Sequence, residues 1–286
     1  MDLIERLNAS IQYIEKNLDG EISYEEAAKI AYCSAYHYQR MFSFMANITL
    51  GEYIRRRRLT LAALDLQKSD IKVIDVALKY GYNSPTSFTR AFIKVHGITP
   101  SEAKSEGVKL KLYPPISFKI SISGGFAMNY RIEEKNGFRV VGVKENISTV
   151  DGYNFIRIPE IWNEVVHNGT CEKIRGLCNE ERLGLIGVCT RFDDNSFDYY
   201  IAAQTSKDAI DGMHAYEVKK ETWAVFECKG IEDMKQVWKQ IYTDWFPSSG
   251  YQHSGGAEIE WYPDATNGEC QSDEYMCEIW IPVVKK

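Results

Sequence analysis

Apolar residues recur at helical spacing through roughly the first third of the chain and alternate with polar ones through the rest, with Pro114-Pro115 near the change. The helical part carries its own punctuation. A first amphipathic helix spans about Asp2 to Leu18 and stops near Gly20; Ser23-Tyr-Glu-Glu26 is a capping box that opens a short helix from Glu26 to Ala31. Ser34 caps a helix from Ala35 to about Met45, and Thr49-Leu-Gly-Glu52 opens a long one to about Lys68. Further on, Ile74, Ala77 and Leu78 form an apolar stripe. Gly81 then stands where a helix end needs a left-handed residue, and Ser84-Pro85 supplies N-cap and first position for a helix buried through Phe88 and Phe92. Thr99-Pro-Ser-Glu102 repeats the capping pattern.

After the prolines the period changes to two, in FKISIS, YRIEE and FRVVGVKE. Two similar sets of elements follow. The first is a strand over Met128–Asn146, broken at Asn136-Gly137, then a helix over Ile156–Val166 and strands over Gly184–Phe192 and Phe197–Gln204. The second is a strand over His214–Cys228, a helix over Ile231–Trp245, and strands over Glu258–Tyr262 and Tyr275–Val284. The second helix is striped by Ile231, Met234, Val237, Trp238, Ile241 and Trp245. Two β-α-β-β units of this kind predict two sheets with a groove between them.

The short-helix pairs repeat at an offset of fifty residues without a gap: Ala27, Lys29, Tyr32, Ser34, Arg40, Phe42, Ile48, Thr49 and Glu52 recur as Ala77, Lys79, Tyr82, Ser84, Arg90, Phe92, Ile98, Thr99 and Glu102. In each pair the second helix presents polar, non-acidic residues outward: Tyr36, Gln39 and Arg40 in the first, Thr86, Ser87, Thr89 and Arg90 in the second. Such residues suit phosphates and base edges. With the YGY-x5-FTRAFIKVHGITPSEAK stretch from Tyr80 onward, residues 1–107 resemble the AraC/XylS family of transcription regulators. The resemblance implies an all-α domain with two helix-turn-helix units, which binds double-stranded DNA and contacts RNA polymerase. The long connecting helix, about 20 residues at 1.5 Å each, is roughly 30 Å. That is close to the ~34 Å between successive major-groove faces, so one chain can read both and a monomer suffices. Arg55 to Arg58 lie early in this helix; with about 100° per residue they cannot all face one partner.

The second part resembles the GyrI-like effector-binding domain, through ETWAVFECKG (221–230), IYTDWFPSSGYQ (241–252), IEWYP (259–263) and CEIWIPV (277–283). The domains read as 1–107, a linker and lead-in strand over 108–126, and an α+β domain over 127–286. The resemblance implies a groove walled by aromatic side chains, with a glutamate that meets an organic cation or a flat aromatic compound. By position that glutamate is Glu260, and Glu278 is the other acid in a strand phrase. A carboxylate among apolar strand residues is costly unless partnered or turned to solvent. Alternation puts Tyr262 on the face of Glu260 and Trp280 on that of Glu278; Trp223 and Trp162 complete the candidate wall, against the plain reading that most such aromatics are core.

Charge sharpens this division. The chain carries −6, but residues 1–112 hold 16 basic and 13 acidic side chains and residues 113–286 hold 18 and 27. The reader is mildly basic and the second domain strongly acidic, which favours a cationic ligand. Seven cysteines without metal-ligand spacing point to free thiols in a reducing compartment, and neither a cofactor nor a metal is expected. No apolar run approaches a membrane span and the N-terminus is no signal peptide, so a cytoplasmic protein is expected. No Ser-His-Asp, Walker or dinucleotide pattern occurs, and the expectation is a regulator rather than an enzyme. Hydrolysis or sequestration of toxic natural products, known among GyrI-like proteins, is the alternative.

Overall fold

A computed structural model describes residues 3–68, 71–105, 107–119, 128–149, 152–179, 184–193, 196–210, 212–263 and 275–285. The chain forms two units, Met1–Ser121 and Ile122–Lys286.

The first unit is helical: α1 (Leu3–Lys16), α2 (Tyr24–Ile30), α3 (Ala35–Ala46), α4 (Leu50–Lys68), α5 (Val73–Lys79) and α6 (Pro85–His96). The caps fall where local chemistry puts them. Ser23, Ser34 and Ser84 accept from the backbone N–H of Glu26, His37 and Ser87, and Thr99 and Glu102 close a full capping box. The centre is α4. Leu59, Ala62, Ala63 and Leu66 pack on Val76 and Ala77 of α5 and Phe88 and Phe92 of α6, while Tyr53 meets the Phe42 ring of α3 at 5.4 Å.

The structure departs from the sequence reading in several places. The apolar stripe of α5 is Val73, Val76, Ala77 and Tyr80, whereas Ile74 and Leu78 are 48 % and 58 % exposed. The repeat is also not gapless. α2 and α5 are equivalent at an offset of 49, with Cys33 N–H bonding Ala28 O as Tyr82 N–H bonds Ala77 O, whereas α3 and α6 are equivalent at 50. The second turn therefore holds one more residue. Left-handed Tyr32 (φ 59°), not Ala31, is the counterpart of Gly81 (φ 81°). The helical unit also extends past residue 107: Tyr113 N–H bonds Thr60 Oγ1, Phe118 stacks edge-on against Phe42, and Asn8 pairs with the Phe118 backbone through two hydrogen bonds. Residues 116–119 form no strand, and the rest of FKISIS lies outside the described residues.

The second unit contains β1 (Tyr130–Lys135), β2 (Phe138–Ser148), α7 (Tyr153–His167), α8 (Thr170–Leu177), β3 (Gly184–Thr190), β4 (Ser196–Gln204), β5 (His214–Val218), β6 (Glu221–Lys229), α9 (Gly230–Gln240), β7 (Tyr251–His253), β8 (Glu258–Pro263) and β9 (Met276–Lys285). Both β-α-β-β units are present, but they make one sheet rather than two. The order is β1-β6-β9-β8-β3-β4-β2-β5, so the halves join at the antiparallel β3–β8 pair. On either side of that seam the order mirrors itself, except that each half lends its edge strand to the other: β1 pairs with β6, and β5 with β2. The long strand expected over His214–Cys228 is split into β5 and β6 accordingly. One sheet face receives α7 and α9. The other buries Val140, Val188, Tyr200, Trp223, Val225 and Trp280. Helix α9 runs into a π-helical turn over Ile241–Trp245, which lets Ile241, Tyr242 and Trp245 all bury; Ile231, at its start, is 48 % exposed.

Candidate functional site

Strand β8 sends Glu258, Glu260 and Tyr262 to the face covered by α9. Helix α9 meets them in step. Trp238 donates its indole N–H to Glu260 at 2.8 Å, and Tyr242, one turn on, donates its hydroxyl to Glu258 at 2.8 Å; their rings stack within 13° of parallel.

Glu260 lies at the seam, opposite Gly187 of β3. Its second oxygen accepts from the Tyr262 hydroxyl at 3.1 Å and the Tyr199 hydroxyl at 3.4 Å. Trp162 of α7 donates to Tyr199 at 2.7 Å and sets its ring 4.8 Å from that of Tyr262, at 64°. Both halves of the unit thus converge on one half-buried carboxylate. Burial and then the Glu260 charge push both phenols well above the usual tyrosine range, which keeps them protonated as donors. Gly187 makes the room: a Cβ there would come within 2.6 Å of Tyr199 Oη and 3.1 Å of Glu260 Oε2. Among the described residues no lysine, arginine or histidine pairs with Glu260.

The structure divides the expected set between the two sheet faces. Glu260, Tyr262 and Trp162 share one. Trp223, Trp280 and Glu278 lie on the other, because Glu278 sits opposite Trp261 in the β8–β9 register while Glu260 sits opposite Ile279. Trp223 is 0 % exposed and packs on Trp280 at 6.0 Å. Glu278 accepts from the Trp280 indole at 2.7 Å and from Arg131 at 3.1 Å, so its charge is already matched. These three residues are core and do not join the Glu260 cluster. Sequence reasoning missed Tyr199 and Trp238 as members of the site; Trp238 stood in an apolar stripe that gave no hint of its indole N–H being used.

In the helical unit, α6 leaves Thr86, Ser87 and Arg90 exposed and Thr89 partly so. α3 differs. Tyr36, expected outward, is 4 % exposed, sets its ring edge-on to His37 and accepts from Arg40 at 2.8 Å; Gln39 and Arg40 are half-buried. The four arginines of α4 hold the unit together. Arg55 and Arg56 pair with Glu52, Arg57 clasps Glu15 at 2.7 Å and reaches Tyr113 O, and Arg58 donates to the carbonyls of Leu18 and Gly20 beyond the end of α1.

These two arrangements define a class: a double helix-turn-helix reader followed by a domain with an unneutralised carboxylate in an aromatic setting. The family comparisons agree. A helix-turn-helix domain family matches residues 27–106 and the GyrI-like small molecule binding domain family matches residues 128–284. The chain belongs to the AraC-type transcription regulators that carry a GyrI-like domain. Regulatory protein SoxS of Salmonella typhimurium strain LT2 is 38 % identical over 92 residues, 32 % of this chain and 86 % of SoxS. Transcriptional regulator Rob of the same strain is 24 % identical over 286 residues, 95 % of each chain. Among solved structures, that of SAV2435 bound to tetraphenylphosphonium is similar in fold, with a TM-score of 0.50 and 21 % identity over 55 % of this chain and 94 % of that one. Among the described residues no helix is long and apolar enough to cross a membrane.

Proposed function

We propose that this DNA-binding regulator takes an organic cation, compact or flat and aromatic, at Glu260, and that occupancy tunes its action on DNA. The observation that carries this reading is the carboxylate itself. Glu260 is half-buried and held by three neutral donors, Trp238, Tyr199 and Tyr262, with no cationic partner among the described residues, whereas Glu278, one strand away, is matched by Arg131. A cation that displaces water there gains the charge and the faces of Trp162 and Tyr262, each ring contributing about 0.5–2 kcal/mol. The fold likeness to SAV2435, a protein solved with tetraphenylphosphonium, supports the same class of ligand.

The test is calorimetric titration of tetraphenylphosphonium and of an uncharged analogue. Glu260→Gln is expected to weaken the cation by roughly tenfold or more, about 1.4 kcal/mol, and to leave the neutral compound unaffected. Equal loss for both would reassign Glu260 to structure. Exposed Arg90 and the neighbouring Thr86, Ser87 and Thr89 support α6 as a reading helix, with Gln39 and Arg40 of α3 as the second contact; the length of α4 supports binding by a monomer, with RNA polymerase as the onward partner. Arg90→Ala is expected to cost about 1–3 kcal/mol of specific DNA affinity if it reaches a base edge.

A further inference from the structure

Strands β6 and β9 place Cys228 directly opposite Cys277, on the sheet face that also carries Phe226, Ile279 and, one strand over, Glu260. Both side chains are fully buried and neither is in a disulfide. The ladder fixes how far apart they stand. Two steps beyond this pair, Gly230 N–H donates to Tyr275 O at 2.6 Å, and because antiparallel pairs alternate, Cys228 and Cys277 are themselves a hydrogen-bonded pair. Such pairs hold their Cα atoms about 5.5 Å apart and their Cβ atoms at the wide end of the 4.5–5.5 Å range. A disulfide needs Cβ atoms about 3.5–4.5 Å apart, so this register disfavours one. An atom between the sulfurs suits it: two metal–thiolate bonds of about 2.3 Å span roughly 4.6 Å.

We propose that Cys228 and Cys277 form a binding site for a soft, divalent, two-coordinate metal ion of the mercuric class. Softness follows from two sulfur donors. Charge follows from burial: two thiolates and a divalent ion are neutral together, whereas a monovalent ion leaves a net negative charge in an apolar layer near the Glu260 carboxylate. Burial pushes the Cys228 thiol up, consistent with a site that does not hold a lone thiolate. Zinc is disfavoured because it asks for four ligands. Access requires local opening of the strand ends, where the Lys229–Met276 and Gly230–Tyr275 pairs lie beyond the cysteines. Exchange with the bis-glutathione mercuric complex balances without an oxidant: two mercury–glutathione sulfur bonds break, two bonds to Cys228 and Cys277 form, and the two thiol protons leave on two released glutathione molecules. The site stands independently of the Glu260 reading.

The test is retention of mercury by the full chain after incubation with the bis-glutathione complex in excess glutathione and gel filtration. The wild type and Cys178→Ser are expected to keep one equivalent, and Cys228→Ser and Cys277→Ser each less than a tenth of that. A full equivalent on either single variant, or none on the wild type, overturns the proposal. X-ray absorption of the wild-type complex provides a check that needs no variant: two sulfur neighbours are expected, and any other sulfur count contradicts the site.

Discussion

Glu260 and Glu278 meet the cost of a buried carboxylate in opposite ways, one with neutral hydroxyl and indole donors and the other with an arginine. Gly187 is the residue that permits the first solution. Gly187→Ala forces the Tyr199 hydroxyl to move and should lower stability by about 1–3 kcal/mol, read as a fall in the urea midpoint, as well as weaken cation binding. No change in either would mean that the seam yields more easily than its distances imply. In the helical unit, His96 is buried with a ring nitrogen 3.1 Å from Leu59 O, and burial lowers its pKa from 6.5. The unfolded chain then binds the proton more readily. Stability should therefore be full above about pH 7 and fall as pH drops through 6.5, a slope that His96→Gln should flatten in helical circular dichroism.

At the scale of elements, the reading turns of the two helix pairs differ by one residue, and the difference sits at a left-handed position. Tyr32 holds φ 59° at a cost of about 1–2 kcal/mol, offset in part by Arg6, whose guanidinium lies 4.3 Å from its ring centre and is worth about 0.5–1 kcal/mol. Tyr32→Gly should thus be neutral to about 1 kcal/mol stabilising, whereas Gly81→Ala, which also brings a Cβ within 2.9 Å of Arg58, should destabilise by about 1–2 kcal/mol. Urea midpoints of the two variants should move apart. The helix caps were legible because Ser23, Ser34, Ser84 and Thr99 each act on the N–H group three residues ahead. The same holds for the strand break at Asn136-Gly137. The shorter first turn was not legible, since identities such as Ala27 with Ala77 align at fifty while the backbone equates Ala28 with Ala77.

At the scale of the whole chain, alternation correctly grouped Glu260 with Tyr262 and Glu278 with Trp280, but the register between β8 and β9 decides which group meets the helices. That register is a long-range property, as are the β3–β8 seam and the exchange of β1 and β5 between halves. Trp223 and Trp162 were indistinguishable until those pairings placed one in the core and the other beside Tyr199. The charge division, by contrast, is plain in composition: a basic reader and an acidic ligand domain. DNA affinity should accordingly fall steeply with salt, in a log–log slope set by the phosphates engaged.

Coupling between a cation at Glu260 and DNA binding is the step on which the proposed regulation rests. It is tested most directly by titrating an operator, selected from random sequence, against wild type and Glu260→Gln with and without saturating tetraphenylphosphonium. A shift in operator affinity of about 5–150-fold in the wild type, absent in the variant, is the predicted result. An unshifted wild type, or an equal shift in Glu260→Gln, would contradict it.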